Sequence, residues 1–292
     1  MASLKLLSLN EDEKPPLAAI INTHDFEEVA RKTIPKKAWA FYSSAATDQI
    51  TRNFNESSYD RIFFRPRILR NVTNVNIEVK MLGQKMALPL FVAPAAMAKM
   101  IHPDGEKALA RAAASRGIIQ CVSNHASFPL TEIIPQLPKG YPVFFQLYVN
   151  RDREKSEELL KKVTALGSVK AIFVTVDAPV VGKREEDEKI EVDESLTTPM
   201  GDSKVKNDDK GGGLGRAIGY YVDSSLTWED IPWLRSLTNI PIVLKGIQTA
   251  ADAKMALECG VDAIILSNHG GRSLDTYASL FIPQIWKGQG KL

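Results

Sequence analysis

From Leu88 onward, short apolar runs rich in β-branched residues alternate with segments of helical period, the pattern of β/α units feeding a parallel sheet. The runs are LPLFVAPAA (88–96), GIIQCVS (117–123), YPVFFQLYV (141–149), VKAIFVTVDAP (169–179), IPIVLKG (240–246) and VDAIILSNH (261–269), and they predict six strands. Helices are expected between them over Gly105 to Arg116, Leu130 to Gln136, Asp152 to Leu166, Thr227 to Leu237 and Thr249 to Glu258, several opened by capping residues such as Asp152, Thr227 and Thr249. Ahead of the strands, two helices are expected between His24 and Asn55: DFEEVARKTI, ended by Pro35, and KKAWAFYSSAATDQITRNF. They would cover one end of a barrel.

The stretch from Gly182 to Asp223 breaks the alternation. It holds KREEDEK and GDSKVKNDDKGGGLGR, with many charges and little apolar content, and reads as a flexible loop over about 182–223. Its glycines, Gly211 to Gly215, do not form a phosphate loop, because no strand feeds them and no Lys-Ser/Thr pair follows.

Composition narrows the function. A chain of 292 residues that is 44% hydrophobic and 25% charged is large enough for one extended core. Its 37 basic and 35 acidic residues nearly cancel, so nothing invites nucleic acid or an anionic membrane, and small-molecule chemistry is the better default. Cys121 and Cys259 read as buried or incidental thiols of a reducing compartment, not as a disulfide framework. There is no apolar run of about 18 residues to span a membrane, and no signal-type segment in Met1 to Asn10, so a cytoplasmic location is the default expectation.

Ligands of parallel β/α folds bind at the carboxyl ends of the strands. Those ends are unusually polar: Ala95 and Ala96, then Ser123, Asn124 and His125, Gln146 and Tyr148, Thr175 and Asp177, Lys245, and finally Ser267, Asn268, His269 and Arg272. Taken singly, Asp177 could cap a turn, Lys245 could reach water, and His269 could be a satisfied loop histidine. Taken together, they form a chemical set. A histidine serves as general base, an aspartate from another strand holds it, and an arginine grips a carboxylate. Those parts suit oxidation of a small hydroxy acid. The electron acceptor is not legible from them, because no dinucleotide fingerprint follows the first strand.

The motifs FYSSAATDQ, YDRIFFRPRIL, FQLYVN, FVTVDAP, PIVLKGIQ and ILSNHGGRSLD resemble those of the FMN-dependent 2-hydroxy-acid dehydrogenase and oxidase family, whose members include L-lactate:cytochrome c oxidoreductases and glycolate oxidases. The resemblance runs from about Pro15 to Thr276. It implies a (β/α)8 barrel of TIM type, here incomplete with about six of eight units. It also implies FMN as cofactor and an L-2-hydroxy acid, lactate-like, as substrate. In that frame His269 is the base, Asp177 stabilises its protonated form, and Tyr148 contacts the substrate. Arg272 and the more mobile Arg184 bind the carboxylate. Lys245 sits by the pyrimidine end of the flavin, Ser123, Gln146 and Thr175 hydrogen-bond it, and the backbone of Pro94, Ala95, Ala96 and Met97 lines one face. His125 occupies a place where the family varies. No metal is implied. Oxygen, a cytochrome or a quinone remain open as final acceptor, a homotetramer is the family's tendency, and a mitochondrial location is the alternative.

Departures from the family pattern set further expectations. Phe41 stands before Tyr42 where the family has a tyrosine pair; one lost hydrogen bond to a charged group should weaken substrate binding by roughly 1.5–3 kcal/mol. Ala95 replaces the usual threonine after Pro94, and Ser44, Ala45 and Ala46 replace an SGA tripeptide. After Asp275 the family continues through two β/α units carrying the FMN phosphate site, which need on the order of 60 residues. The chain is therefore expected to comprise an N-terminal extension over 1–22, a partial barrel over 23–280 and an unrelated tail over 281–292. Weak FMN retention, poor solubility and, as the rival reading, a non-catalytic truncated remnant go with that expectation.

Overall fold

The structure is a computed structural model that describes residues 14–201 and 205–276. The expected 281–292 tail and most of the 1–22 extension lie outside the described residues. Helix α1 (Thr23–Thr33) opens on a capping box in which Asn22 and Asp25 each accept the other's backbone N–H. Pro35 ends it, and the expected second helix is two, α2 (Lys36–Ser43) and α3 (Ile50–Ser58). The break comes because the backbone between them bonds elsewhere: Ala46 N donates to Gly271 O and Thr47 N to Lys183 O, both at 2.9 Å, while Thr47 and Gln49 take positive φ.

A short antiparallel hairpin follows, β1 (Val79–Met81) and β2 (Gln84–Met86), which the sequence reading did not foresee. Its turn residues Leu82 and Gly83 both have positive φ, as a two-residue turn matching strand twist requires. The remaining elements are α4 (Gly105–Ser115), β3 (Cys121–Ser123), α5 (Leu130–Ile133), β4 (Val143–Leu147), α6 (Arg153–Ala165), β5 (Val169–Thr175), α7 (Glu185–Glu188), α8 (Leu214–Gly219), α9 (Ile231–Ser236), β6 (Ile242–Ile247), α10 (Ala250–Glu258) and β7 (Ala263–Leu266).

Among the described residues, strands β3 to β7 form one parallel sheet in sequence order, an open part of a β/α barrel. The first run expected as a strand contributes only a parallel bridge, Val92 to Gln120. Pro89 and Pro94 explain this: neither can donate to a ladder, and each restricts the residue before it, so only Val92 and its neighbours bond to the next strand.

The strands read as continuous apolar runs because both faces are covered. Val122, Phe145, Leu147, Ile172, Val174, Ile242 and Leu244 pack outward on the helices, among them Leu160 and Val163 of α6. Cys121, Phe144, Ala171, Phe173 and Val243 point inward, joined by Ile119 and by Met86 of the hairpin. Phe144 and Phe173 stack at 5.0 Å, and Phe91 meets Phe173 edge-on at 5.7 Å. Each buried side chain of this size is worth about 1.5–3 kcal/mol relative to exposure.

The 182–223 stretch differs from an open linker. Val192, Val205 and Leu214 bury themselves against Phe41 of α2 and Met97, so this segment and the N-terminal helices share a third cluster over the carboxyl ends of the strands.

Candidate active site

Strand β5 ends at Thr175, and two residues later Asp177 turns its fully buried side chain toward the loop after β7. There His269 Nδ1 lies 2.7 Å from Asp177 Oδ1. Ser267 Oγ donates to Asp177 Oδ2 at 3.2 Å and accepts from His269 N at 3.0 Å. From β6, Lys245 Nζ reaches Ser267 Oγ at 3.5 Å and Asp177 Oδ2 at 3.9 Å. Asp177 is thus surrounded by an imidazole, a hydroxyl and an ammonium. Burial opposes its ionisation, but His269, Lys245 and Ser267 outweigh burial and hold the carboxyl below the usual carboxylate range.

An ionised Asp177 fixes the proton of His269 on Nδ1 and leaves Nε2 as the free lone pair. Nε2 faces Tyr148 Oη at 3.2 Å. Burial pushes His269 below the ordinary histidine value, opposed by the Asp177 hydrogen bond, with Lys245 and Arg184 adding to the fall. Burial and the nearby Asp177 push the Tyr148 phenol up, so it stays a donor.

Two backbone features make this approach possible. Gly246 has φ +115, at the point where the β6–β7 register shifts, and a Cβ there would lie 2.5 Å from Cβ and Cγ of Asp177. Only glycine at this bulge lets the acid come so close. His269 itself sits at φ 57, a left-handed conformation sustained by its bonds to Asp177 and Ser267.

Opposite the imidazole stand two guanidiniums. Arg272 donates to the Tyr42 carbonyl at 2.6 Å, and burial together with the charges of Arg184 and Arg52 lowers it to about 10. Arg184 is half-buried with its Nε unpartnered, its guanidinium 5.5 Å from the Phe41 ring centre, and burial lowers its pKa also. Among the described residues neither arginine has a carboxylate partner. Two partly desolvated cations without an anion call for one.

A third group lines the floor. Ser123 Oγ donates to Gln146 Oε1 at 3.1 Å, and Gln146 Nε2 donates to Thr175 Oγ1 at 3.0 Å. The Tyr42 hydroxyl donates to the Ala96 carbonyl. All of these groups surround a cavity of about 390 Å³ that Phe41, Pro94, Ala95, Ala96, Ser123, Gln146, Tyr148, Thr175, Arg184, Lys245, His269 and Arg272 line together. Asp177 lies behind His269 and does not line the cavity, and the side chain of Met97 is turned into the core beside Phe41.

His125 also lines the cavity, fully buried, with Nε2 2.9 Å from Tyr221 Oη, and burial lowers its pKa to about 3, so the ring is neutral. The sequence reading missed the wall supplied by Val181, Gly182, Gly215, Ile218 and Gly219, which carry no periodic signal, and gave no role to Ser267, whose only signal is its place at a strand end. A larger cavity of about 750 Å³ lies on the other side of Asp177, but Asp177, Asp223 and Asp252 line it and no lysine or arginine does. Such a cavity repels a carboxylate.

A model of the FMN-dependent dehydrogenase family matches residues 30–282. The L-lactate dehydrogenase (cytochrome) of Wickerhamomyces anomalus is 41% identical over 268 residues, covering 90% of this chain and 45% of that protein. Glycolate oxidase 3 of Arabidopsis thaliana is 41% identical over 264 residues, covering 88% of this chain and 70% of that one. A flavocytochrome b2 variant with pyruvate bound superposes with a TM-score of 0.80 at 41% identity, over 96% of this chain and 66% of that one. The chain thus spans a little under half the length of the cytochrome-linked relative. No described helix is long and apolar enough to cross a membrane.

Proposed function

This chain belongs to the FMN-dependent dehydrogenase family, and we propose that its cavity oxidises an L-2-hydroxy acid of lactate-like size to the 2-oxo acid with FMN as first electron acceptor. The observation that carries the reading is the convergence of the Asp177–His269 pair and two unpaired arginines on one cavity. A hydroxy acid presents a carboxylate and an acidic hydrogen a short distance apart, and the cavity presents the complementary groups.

The residues present suit a flavin ring. Among the described residues Lys245 Nζ has only long polar contacts, at 3.5 and 3.9 Å, and lies where an electron-rich ring would meet it. Small residues Ala93, Ala95 and Ala96 leave room for a flat face, and Ser123, Gln146 and Thr175 offer polar edges. When bound, FMN supplies an acceptor for two electrons.

The chain's own residues do the rest. Arg184 and Arg272 hold the substrate carboxylate. That anchoring turns the hydroxylated carbon toward Nε2 of His269, which takes a proton from the substrate. Asp177 stabilises the resulting imidazolium, and Tyr148 donates to the substrate oxygen. Lys245 favours negative charge at the acceptor. The second acceptor is oxygen, a cytochrome or a quinone.

The test is direct. Purified chain is scanned for flavin absorbance and mixed anaerobically with L-lactate; yellow protein that bleaches is the expected result, and yellow protein that never bleaches with any small L-2-hydroxy acid rejects the reading. The non-catalytic alternative draws on the apolar side chains of Phe63, Phe64 and Leu69, which stand exposed. Colourless, aggregating protein supports it.

A further inference from the structure

Arg184 stands three residues before Asp187, where a carboxylate one helical turn away is a guanidinium's ordinary partner. Asp187 is not used that way. Its side chain is 1% exposed; Oδ2 accepts from Gly215 N at 2.9 Å, and Lys37 Nζ pairs with Oδ1 at 2.7 Å. Lys37 also donates to the Asp187 carbonyl at 2.5 Å. One carboxylate thereby ties together α2, which brings Phe41 and Tyr42 to the cavity, α7, which follows Arg184, and α8, which brings Gly215, Ile218 and Gly219.

Lys37 does not line the cavity. Its partner is nonetheless the acid within electrostatic reach of Arg184. We propose that Lys37 is a positioning residue that occupies Asp187 and so keeps the Arg184 guanidinium uncommitted and available to the substrate carboxylate. Without the ammonium, a buried carboxylate would be left without a counter-charge, and the cation one turn earlier on the same segment would be drawn to it. The substrate would then lose an arginine that is still present in the chain. This rests on the reading of the cavity as a hydroxy-acid site.

The experiment compares the parent, K37M, D187N and K37M/D187N as full chains carrying FMN, with pyruvate binding measured by calorimetry and crystal structures of parent and K37M. K37M should weaken pyruvate binding about tenfold to a hundredfold, the worth of a hydrogen bond to a charged group. It should leave the flavin reduction rate at saturating L-lactate little changed. D187N should bind as the parent does, and adding D187N to K37M should restore most of the lost affinity, because no carboxylate remains to capture Arg184. A purely structural role for Lys37 could also be rescued by D187N, and the crystal structure separates the two: a structural role would leave Arg184 unmoved in K37M. Parent-like affinity in K37M, or a double variant as weak as K37M, overturns the proposal. The double variant buries no lone charge, so it decides the matter even if K37M alone fails to fold.

In the K37M crystal structure Arg184 should turn onto Asp187. An unmoved Arg184 overturns the proposal whether or not pyruvate binds. A parent that binds no pyruvate marks the failure of the functional reading separately.

Discussion

His269 occupies a left-handed backbone conformation and a half-buried position at once, and both are sustained by Asp177 and Ser267. Because burial holds its pKa below the ordinary 6.5, the neutral base should persist to lower pH than a free histidine would allow. The rate of flavin reduction should therefore be flat above that value and fall only as pH drops below it; a midpoint above the ordinary histidine value in the pH profile would contradict the burial argument. His269→Gln keeps the size and loses the base, so it should lower the reduction rate by about 100-fold to 10,000-fold while FMN affinity, read from flavin fluorescence, stays near that of the parent. Phe41→Tyr places a hydroxyl in the cavity beside Arg184, and the KM for L-lactate should fall about tenfold or more; an unchanged KM would mean the new hydroxyl points away from the carboxylate. These residues were legible because the chemistry needs unusual types at strand ends, where a lysine or histidine in an apolar run has few structural reasons to be. The inward turn of the Met97 side chain, at φ 57, was not legible, because sequence shows which residues make a turn but not which way a side chain points.

Strands β4, β5 and β6 were plain in the sequence because both of their faces are buried and their runs are unbroken. The 88–96 run looked similar, but its prolines reduce it to one bridge. The α2–α3 break was hidden because its cause lies far along the chain. Helix α3 has no side-chain cap of its own; Asp275 accepts from Thr51 N at 2.8 Å, Ile50 N at 3.3 Å and Thr47 Oγ1 at 2.9 Å. Burial opposes the charge on Asp275, but these donors and the Thr276 amide hold its pKa well below the carboxylate range. Its contribution is therefore present above the unfolded value near 3.8 and is lost as pH falls toward the depressed folded value. Asp275→Ala should cost about 1–2 kcal/mol near neutral pH. Chemical denaturation at pH 7 and at acid pH checks it: the difference between parent and variant should shrink on acidification, and a constant difference would reject the capping role.

At the scale of the molecule, the 62–77 stretch leaves Phe63, Phe64 and Leu69 at 85%, 97% and 100% exposure, and among the described residues β7 pairs on one side only. Exposed apolar side chains and an unpaired strand edge each favour association. Phe64→Lys combined with Leu69→Lys should lower the mass seen by light scattering at high concentration and raise the soluble yield; an unchanged distribution would place the association elsewhere. The candidate site is equally a property of the whole, since its walls come from Phe41, Pro94, Arg184 and His269, and Asp275 secures a helix whose Thr51 precedes it by 224 positions. A ribosome making this chain releases α3 long before the residue that caps it. The first helices must wait, frayed at that end, until nearly all of the sheet has emerged, so any chaperone that shelters the nascent chain has its longest task at the amino-terminal side of the cavity.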